Sequence, residues 1–178
     1  MEDSELLSKI RNSDTRNYGI NLLVRAYQQR VYSHVRKMVI DHDDADDITQ
    51  EVFIKVNNAI DKFREDSRLF TWIYRIATNE SLTFLNKKRR RFFLPLEDIG
   101  AQLAAKIDSS PDISGDEIQR KLQKALLKLP DKQRLVFNMK YFDDLQYDQI
   151  ADITGTSVGA LKASYHHAVK KIEEFIND

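Results

Sequence analysis

The chain has no cysteine and few helix breakers, with five glycines and three prolines among 178 residues. Without cysteine it can form neither a disulfide framework nor a thiolate metal site, which suits a reducing compartment. Charged residues make up 31% of the chain, a share that is common in helical proteins and high for sheet proteins. Together these features favour an all-α fold.

Long apolar runs are also missing. No run approaches the roughly 20 residues that a membrane-spanning helix needs. The acidic start of the chain, Met-Glu-Asp-Ser-Glu, does not fit the pattern of a signal peptide. We therefore expect a cytoplasmic protein that does not insert into a membrane.

The net charge is zero, a balance that normally argues against binding to nucleic acids. The charges are unevenly distributed, however. Residues 71–91 carry six bases and one acid, whereas residues 92–117 carry six acids and one base. The charges of these two segments cancel in the net charge of the chain, but each segment keeps its own local electrostatic field.

Apolar residues repeat at helical spacing through most of the chain, but not between residues 92 and 117. That interval holds prolines, glycines, serines and scattered acids, a composition typical of a linker. We therefore predict two small helical domains, 1–91 and 118–178, joined by a flexible acidic linker, 92–117. Pro130 is expected to begin a helix of the second domain, because the first helical turn does not need its missing N–H.

The second domain carries the pattern of a helix-turn-helix motif. A helix over residues 147–154 places the small Ala151 where two helices would cross, and Gly155 supplies a tight turn before the next helix. Hydroxyls of the turn can cap that second helix, whose outward face would meet DNA. The turn and outward-facing residues are Thr156, Ser157, Lys162, Ser164, His166, His167 and Lys170. An ordinary helical hairpin with a solvated lysine face is the alternative.

With both halves placed, the chain resembles the extracytoplasmic-function (ECF) sigma factors, small two-domain factors of bacterial transcription initiation. The segment DADDITQEVFIKV (44–56) looks like the part of the family that docks on RNA polymerase. FREDSRLFTWIYRIATN (63–79) looks like the part that melts promoters and recognises the −10 element. Leu129-Pro130 and DLQYDQIA (144–151), with the turn that follows, look like the −35-binding domain.

The resemblance implies a factor that binds core RNA polymerase, directs it to specific promoters and helps to open the duplex. Its docking surface would be acidic and would lie away from the apolar stripe of its helix. The residues implied are Asp46, Asp47, Gln50, Glu51, Phe53 and Lys55. The alternatives are an ordinary acidic helix start and a calcium loop, which lacks the glycine that its turn needs.

The same resemblance assigns aromatic, basic and polar residues of the first domain to the −10 element. The residues implied are Phe63, Arg64, Ser67, Phe70, Trp72, Arg75, Asn79, Lys87, Lys88, Arg89 and Arg90. Unstacking DNA costs about 1.4 kcal/mol per base-pair step, and an aromatic surface returns about 1–3 kcal/mol per captured base. These similar magnitudes indicate that opening depends on polymerase. For Trp72, packing in the core is the alternative.

The predicted recognition helix departs from the family pattern, since Ser164, His167 and Val169 stand where many members carry arginine. Bidentate reading of guanine by arginine is therefore absent at these positions. We expect −35 contact to rely on phosphates, water-mediated contacts and duplex shape.

The resemblance further implies an anti-sigma factor as a partner, and a monomer when the chain is free of polymerase and anti-sigma factor. No cofactor or metal is expected; the adjacent His166 and His167 point about 100° apart on a helix and do not converge on one ion. Two rivals are a helix-turn-helix regulator that acts without polymerase and an enzyme with a metal on carboxylates near Asp43. The basic stretch in the other domain disfavours the first, and the lack of further ligands or a glycine-rich phosphate loop disfavours the second.

Overall fold

The computed structural model describes residues 1–92, 96–109 and 116–178. Within these ranges every regular element is helical, as predicted. The elements are α1 (Asp3–Arg11), α2 (Arg16–Val39), α3 (His42–Ala59), a 3₁₀ turn (Ile60–Lys62), α4 (Leu69–Phe92), α5 (Leu96–Ser109), α6 (Glu117–Leu127), α7 (Asp131–Phe137), a π-helical turn (Asn138–Phe142), α8 (Tyr147–Thr154) and α9 (Val158–Asn177). Predicted linker residues Pro95, Ser110, Pro111, Asp112, Ser114 and Gly115 lie outside the described ranges.

Helices α1–α4 pack around one apolar core. The fourfold spacing of apolar residues in α2 and α3 produces the expected buried stripes, and Val35 and Val52 are completely buried. Asp41 begins α3 by accepting a hydrogen bond from the backbone N–H of Asp44 at 3.1 Å, which satisfies an amide that has no partner inside the helix. Ile73 and Ala77 bring the inner side of α4 into the same core.

Helices α6–α9 form the second helical group, and their connections follow ordinary capping rules. Pro130 precedes α7 directly as its N-cap. Gly155 ends α8 in the left-handed region, with φ of 72°, and Ser157 begins α9 by accepting the amide of Ala160 at 3.3 Å. Helices α8 and α9 therefore form the predicted helix-turn-helix arrangement.

Helix α5 corrects the expectation that helical structure stops at Arg91. It lies in the predicted linker and buries Leu103 and Ile107 in the main core. Its Lys106 donates to Asp41 of α3 at 2.6 Å. The sequence did carry a signal for this helix, because Leu96, Ile99, Leu103 and Ile107 follow helical spacing. The prolines, glycines and serines of the wider interval outweighed it and led to the interpretation as a linker.

The two helical groups share the main apolar core, and a part-buried carboxylate also joins them. Asp143 accepts a hydrogen bond from Lys37 Nζ at 2.7 Å and one from the Tyr74 hydroxyl at 3.5 Å, and His34 Nδ1 lies 3.7 Å away. Burial raises the pKa of Asp143, but the interactions with His34 and Lys37 outweigh it and hold the pKa below its ordinary value. Close by, buried Arg134 donates to the backbone oxygen of Met38 at 2.9 Å.

The ionised Asp143 is expected to stabilise the fold at neutral pH. Because the pKa of Asp143 is lower in the folded chain, its contribution is present above about pH 4 and is lost as the pH falls through the folded value. Thermal unfolding of the wild type and of Asp143→Asn should differ most near pH 7 and converge below pH 4. The control Asp144→Asn changes an exposed neighbour and should match the wild type; a pH-independent gap for Asp143→Asn would contradict the assignment.

Replacing Gly155 by alanine should cost about 1–2 kcal/mol of unfolding free energy, because a Cβ disfavours the left-handed backbone. A Cβ at Gly155 would meet no atom within 4 Å, so the effect would report backbone strain alone. The matched control is Gly159→Ala in the first turn of α9, where a Cβ is also free of contacts and should stabilise by about 0.5 kcal/mol. Urea unfolding of both variants tests this; equal effects would contradict it.

Candidate polymerase and nucleic-acid interfaces

Helix α3 presents an acidic face to solvent. Its four polar residues predicted for docking are exposed, on the side away from the buried stripe, namely Asp46, Asp47, Gln50 and Glu51. The Gln50 side chain donates to Asp46 at 3.3 Å, one helical turn away. The face therefore offers clustered carboxylates that would suit a basic surface on a partner protein.

The two remaining docking candidates lie at the edge of this acidic face. Phe53 is half-buried and packs against the main core, while Lys55 makes an ion pair with Glu80 of α4. Beside the acids, Ile54 is 54% exposed, and the sequence interpretation did not include it. The sequence could have indicated this exposure, because Ile48 and Val52 follow the four-residue spacing of the buried stripe and Ile54 does not.

A small cavity forms where the chain turns from the 3₁₀ turn into α4. Its volume is about 220 Å³. The cavity brings together five of the residues predicted for the −10 element, with two further polar residues at its wall: Phe63, Arg64, Ser67, Trp72 and Arg75, with Lys62 and Asp66. A polar rim over aromatic walls is a form that can hold a planar ring.

The aromatic residues of this region lie mostly beneath the surface. Phe63 is 7% exposed and packs against half-buried Trp72 with ring centroids 5.0 Å apart. Phe70 is 8% exposed and lies between Tyr74, with ring centroids 4.4 Å apart, and the Arg30 guanidinium at 4.2 Å. In this arrangement Phe63 forms part of the cavity wall and Phe70 packs beside Tyr74, so neither presents an open ring face.

Helix α1 supports the loop that lines the cavity. Asp3 accepts the backbone N–H of Leu69 at 3.0 Å, so it caps the start of α4. Arg11 donates to the backbone oxygen of Phe63 at 3.3 Å and pairs with Glu65 at 3.2 Å. Sequence reasoning missed both residues, because local motifs carry no signal for contacts with residues more than 50 positions away.

The cations of α4 differ in their surroundings. Arg75 is exposed but donates two hydrogen bonds to the backbone oxygen of Asp152 in α8, at 3.2 and 2.5 Å. Arg89 is bonded to the Asp131 carboxylate of α7. Lys88 lies 6.0 Å from the ring centre of Phe84. The other predicted −10 residues of this helix are exposed to solvent: Asn79, Lys87 and Arg90.

The predicted −35 surface is largely solvent-facing. Exposed residues on the turn and on α9 are Thr156, Ser157, Lys162, His166, His167 and Lys170, whereas Ser164 is half-buried. The Ser157 hydroxyl is already used as the cap of α9. Lys162 Nζ lies 5.8 Å from the ring centre of Tyr147 on α8. The other exposed residues of α9 in this set, His166, His167 and Lys170, lie farther along the helix.

Comparisons with known proteins match both helical groups. Residues 23–91 fit the family description Sigma-70 region 2, and residues 119–172 fit Sigma-70, region 4. The ECF RNA polymerase sigma factor SigW of Bacillus subtilis is 30% identical over 164 residues, which cover 88% of each chain. The ECF RNA polymerase sigma-E factor of Escherichia coli K12 is 31% identical over 183 residues, covering 97% of this chain and 93% of the relative.

Solved structures share the fold. The sigma factor RpoE of Bartonella quintana, in complex with the anti-sigma factor NepR, aligns with a TM-score of 0.69 and 21% identity over 88% of this chain and 96% of that one. CnrH, in complex with the cytosolic domain of CnrY, aligns with a TM-score of 0.69 and 20% identity over 98% and 97%. None of the helices in the described ranges is long and apolar enough to cross a membrane.

Both region matches occur in the order found in sigma factors, and relatives at 30% identity or more align over most of the chain. The exposed acids of α3, the cavity beside α4 and the helix-turn-helix occupy those same matched regions. The protein belongs to the ECF RNA polymerase sigma factors and is an alternative sigma factor of transcription initiation.

Proposed function

We propose that three surfaces of this sigma factor divide the work of initiation. The acidic face of α3 docks on core RNA polymerase, the cavity and outer side of α4 hold the opened −10 element, and α9 contacts the −35 element. The single observation that carries the proposal is the cavity, where a loop and a helix assemble five of the predicted −10 residues.

The docking surface combines an apolar centre with a charged surround. Exposed Ile54 stands on the same side of α3 as Asp47 and Glu51, seven and three positions earlier, so these residues share one helical face. Protein interfaces obtain most of their affinity from a few buried anchors, while charges around them steer the encounter. Ile54 would supply the anchor, and the carboxylates would guide a basic surface of polymerase towards it.

The −10 surface suits single-stranded DNA better than duplex DNA. A base must leave the stack before the cavity can receive it, and hydrogen bonds to its edge then decide which base is accepted. Arg64 and Ser67 line the cavity, and Asn79 lies one turn beyond Arg75 with both a donor and an acceptor. Gains of about 1–3 kcal/mol per captured base would stabilise an opened duplex that polymerase has already engaged.

Contact with the −35 element would rest on phosphates and duplex shape. The exposed basic groups of α9 are lysines and histidines. The chain has no arginine between Arg134 and its last residue, so the commonest bidentate contact to guanine is absent. Lysines bound to phosphates give affinity that falls steeply with added salt. A helix-turn-helix regulator without polymerase would need stronger duplex binding than this surface offers.

The likeness to two solved complexes concerns regulation: RpoE is bound to the anti-sigma factor NepR, and CnrH is bound to the cytosolic domain of CnrY. We propose that an anti-sigma factor covers the polymerase-facing surface of this chain until it is released. The chain would work in the cytoplasm as a monomer when free, would associate with the nucleoid through polymerase, and would catalyse no reaction itself.

Replacing Asn79 by alanine should lower the yield of open complexes about tenfold, the equivalent of about 1.4 kcal/mol. The reason is the loss of hydrogen bonds to an unpaired base. Permanganate reactivity of unpaired thymines would measure the effect on promoter fragments that the wild-type holoenzyme has selected from genomic DNA. Asn17→Ala, at an exposed helical asparagine of α2, is the control and should behave as wild type. Undiminished opening with Asn79→Ala would contradict the assignment.

Reversing the charge of Glu51 with Glu51→Lys should weaken binding to core polymerase at least tenfold, because a basic partner surface would then face a cation. Ile54→Asp should weaken it similarly through loss of the apolar anchor. Competition with a labelled wild-type chain for core polymerase measures both. Glu173→Lys makes the same charge change on exposed α9 and should leave polymerase binding unaltered; equal loss for all three variants would argue against the α3 surface.

A further inference from the structure

A cavity of about 670 Å³ lies where residues of α4, α5, α6, α7 and α9 meet. Its volume falls in the range of protein sites that hold small organic molecules. Much of its wall is apolar: Leu85, Leu103 and Leu129 are buried, and Leu127 and Phe175 extend the same lining. The apolar part of a small ligand would therefore find a matching surface here.

The charged groups of this cavity are mostly cations. Four basic side chains and one carboxylate line it: Arg89, Lys124, Lys128 and Arg134, with Asp131. Arg89 is bonded to Asp131, and Lys124 pairs with Asp108 of α5 at 2.8 Å. Two cations of the wall therefore remain without a full ionic partner, and the local field would attract an anion and repel a cation.

Arg134 is the buried cation of this wall. Its side chain is 3% exposed, and Asp131 lies 3.7 Å away. One terminal nitrogen donates to the backbone oxygen of Met38 at 2.9 Å, but Nε has no hydrogen-bond acceptor among the described residues. Burial lowers the pKa of Arg134 to about 10; Asp131 opposes this fall and Arg89 adds to it. A buried charge with an unused N–H gains from an anion that pairs with it.

We propose that this cavity binds a small amphipathic carboxylate, whose head accepts the Arg134 Nε–H and whose apolar chain lies along the leucines and Phe175. A guanidinium is planar and matches the geometry of a carboxylate. Exposed Lys128, with Nζ 4.3 Å from the ring centre of Phe175, marks the solvent side and would attract the ligand. Arg89 is the one residue that this site shares with the surfaces proposed for polymerase and promoter DNA.

Decanoate is the probe, because it joins one carboxylate to an unbranched apolar chain. Isothermal titration into the free full-length protein, below the concentration at which micelles form, should show a single saturable site. Decan-1-ol has the same chain without the charge and should bind about tenfold more weakly, since it loses a charge-assisted hydrogen bond. Acetate, which has the head alone, and decyltrimethylammonium, which has the opposite charge, should not bind at this site.

A matched pair of variants on α5 locates the site. Ala104→Leu fills the cavity that Ala104 lines and should weaken decanoate binding about tenfold, because the added side chain takes the space of the ligand. Ala105→Leu makes the same change at an exposed neighbour outside the lining and should bind decanoate as the wild type does. Circular dichroism should show the same helix content in both.

A second pair tests the head group. Arg134→Gln removes the buried cation and should bring the affinity for decanoate down to that for decan-1-ol, whereas Lys132→Gln, at an exposed residue of α7, should not. Should Arg134→Gln lose helix content, the comparison of decanoate with decan-1-ol on the wild type tests the same point.

No saturable binding of decanoate, or equal binding by Ala104→Leu and Ala105→Leu, would overturn the site. Equal affinities of the wild type for decanoate and decan-1-ol would overturn the carboxylate and its pairing with Arg134. The titrations contain neither polymerase nor DNA, so their failure is distinct from a failure of the proposed function, which appears in polymerase binding and open-complex formation.

Discussion

The rest of the structure depends on helix α4, which packs into the apolar core on one side and faces solvent on the other. Its inner side completes the apolar core with Ile73 and Ala77, and burial of such side chains is the main stabilising term for a domain of this size. Its outer side carries the cations that cannot be buried without partners. Because the core fixes the rotation of α4, it also fixes the direction in which Arg75 and Asn79 project.

The same division explains the placement of the aromatic residues. Phe63 and Trp72 pack against each other in the cavity wall, so their rings support the polar groups around it, while Phe70 packs against Tyr74 in the core. Helix α1, at the start of the chain, adds to this support through Asp3 and Arg11. Such support would favour the binding proposed for this cavity, because a preformed site loses less conformational entropy when a ligand binds.

Local patterns in the chain were enough to predict the helical class, the buried stripes of α2 and α3, the helix-turn-helix and the exposed acids of α3, because each follows from periodicity, capping or a motif of adjacent residues. The packing of distant helices was needed to learn which rings are buried, where α5 packs, how Asp3 caps α4 and which partner Asp143 has. These features depend on residues far apart in the chain, and local patterns contain no information on such contacts. Arg75 shows the difference: its place on α4 follows from spacing, but its partner on α8 follows only from the packing of two distant helices.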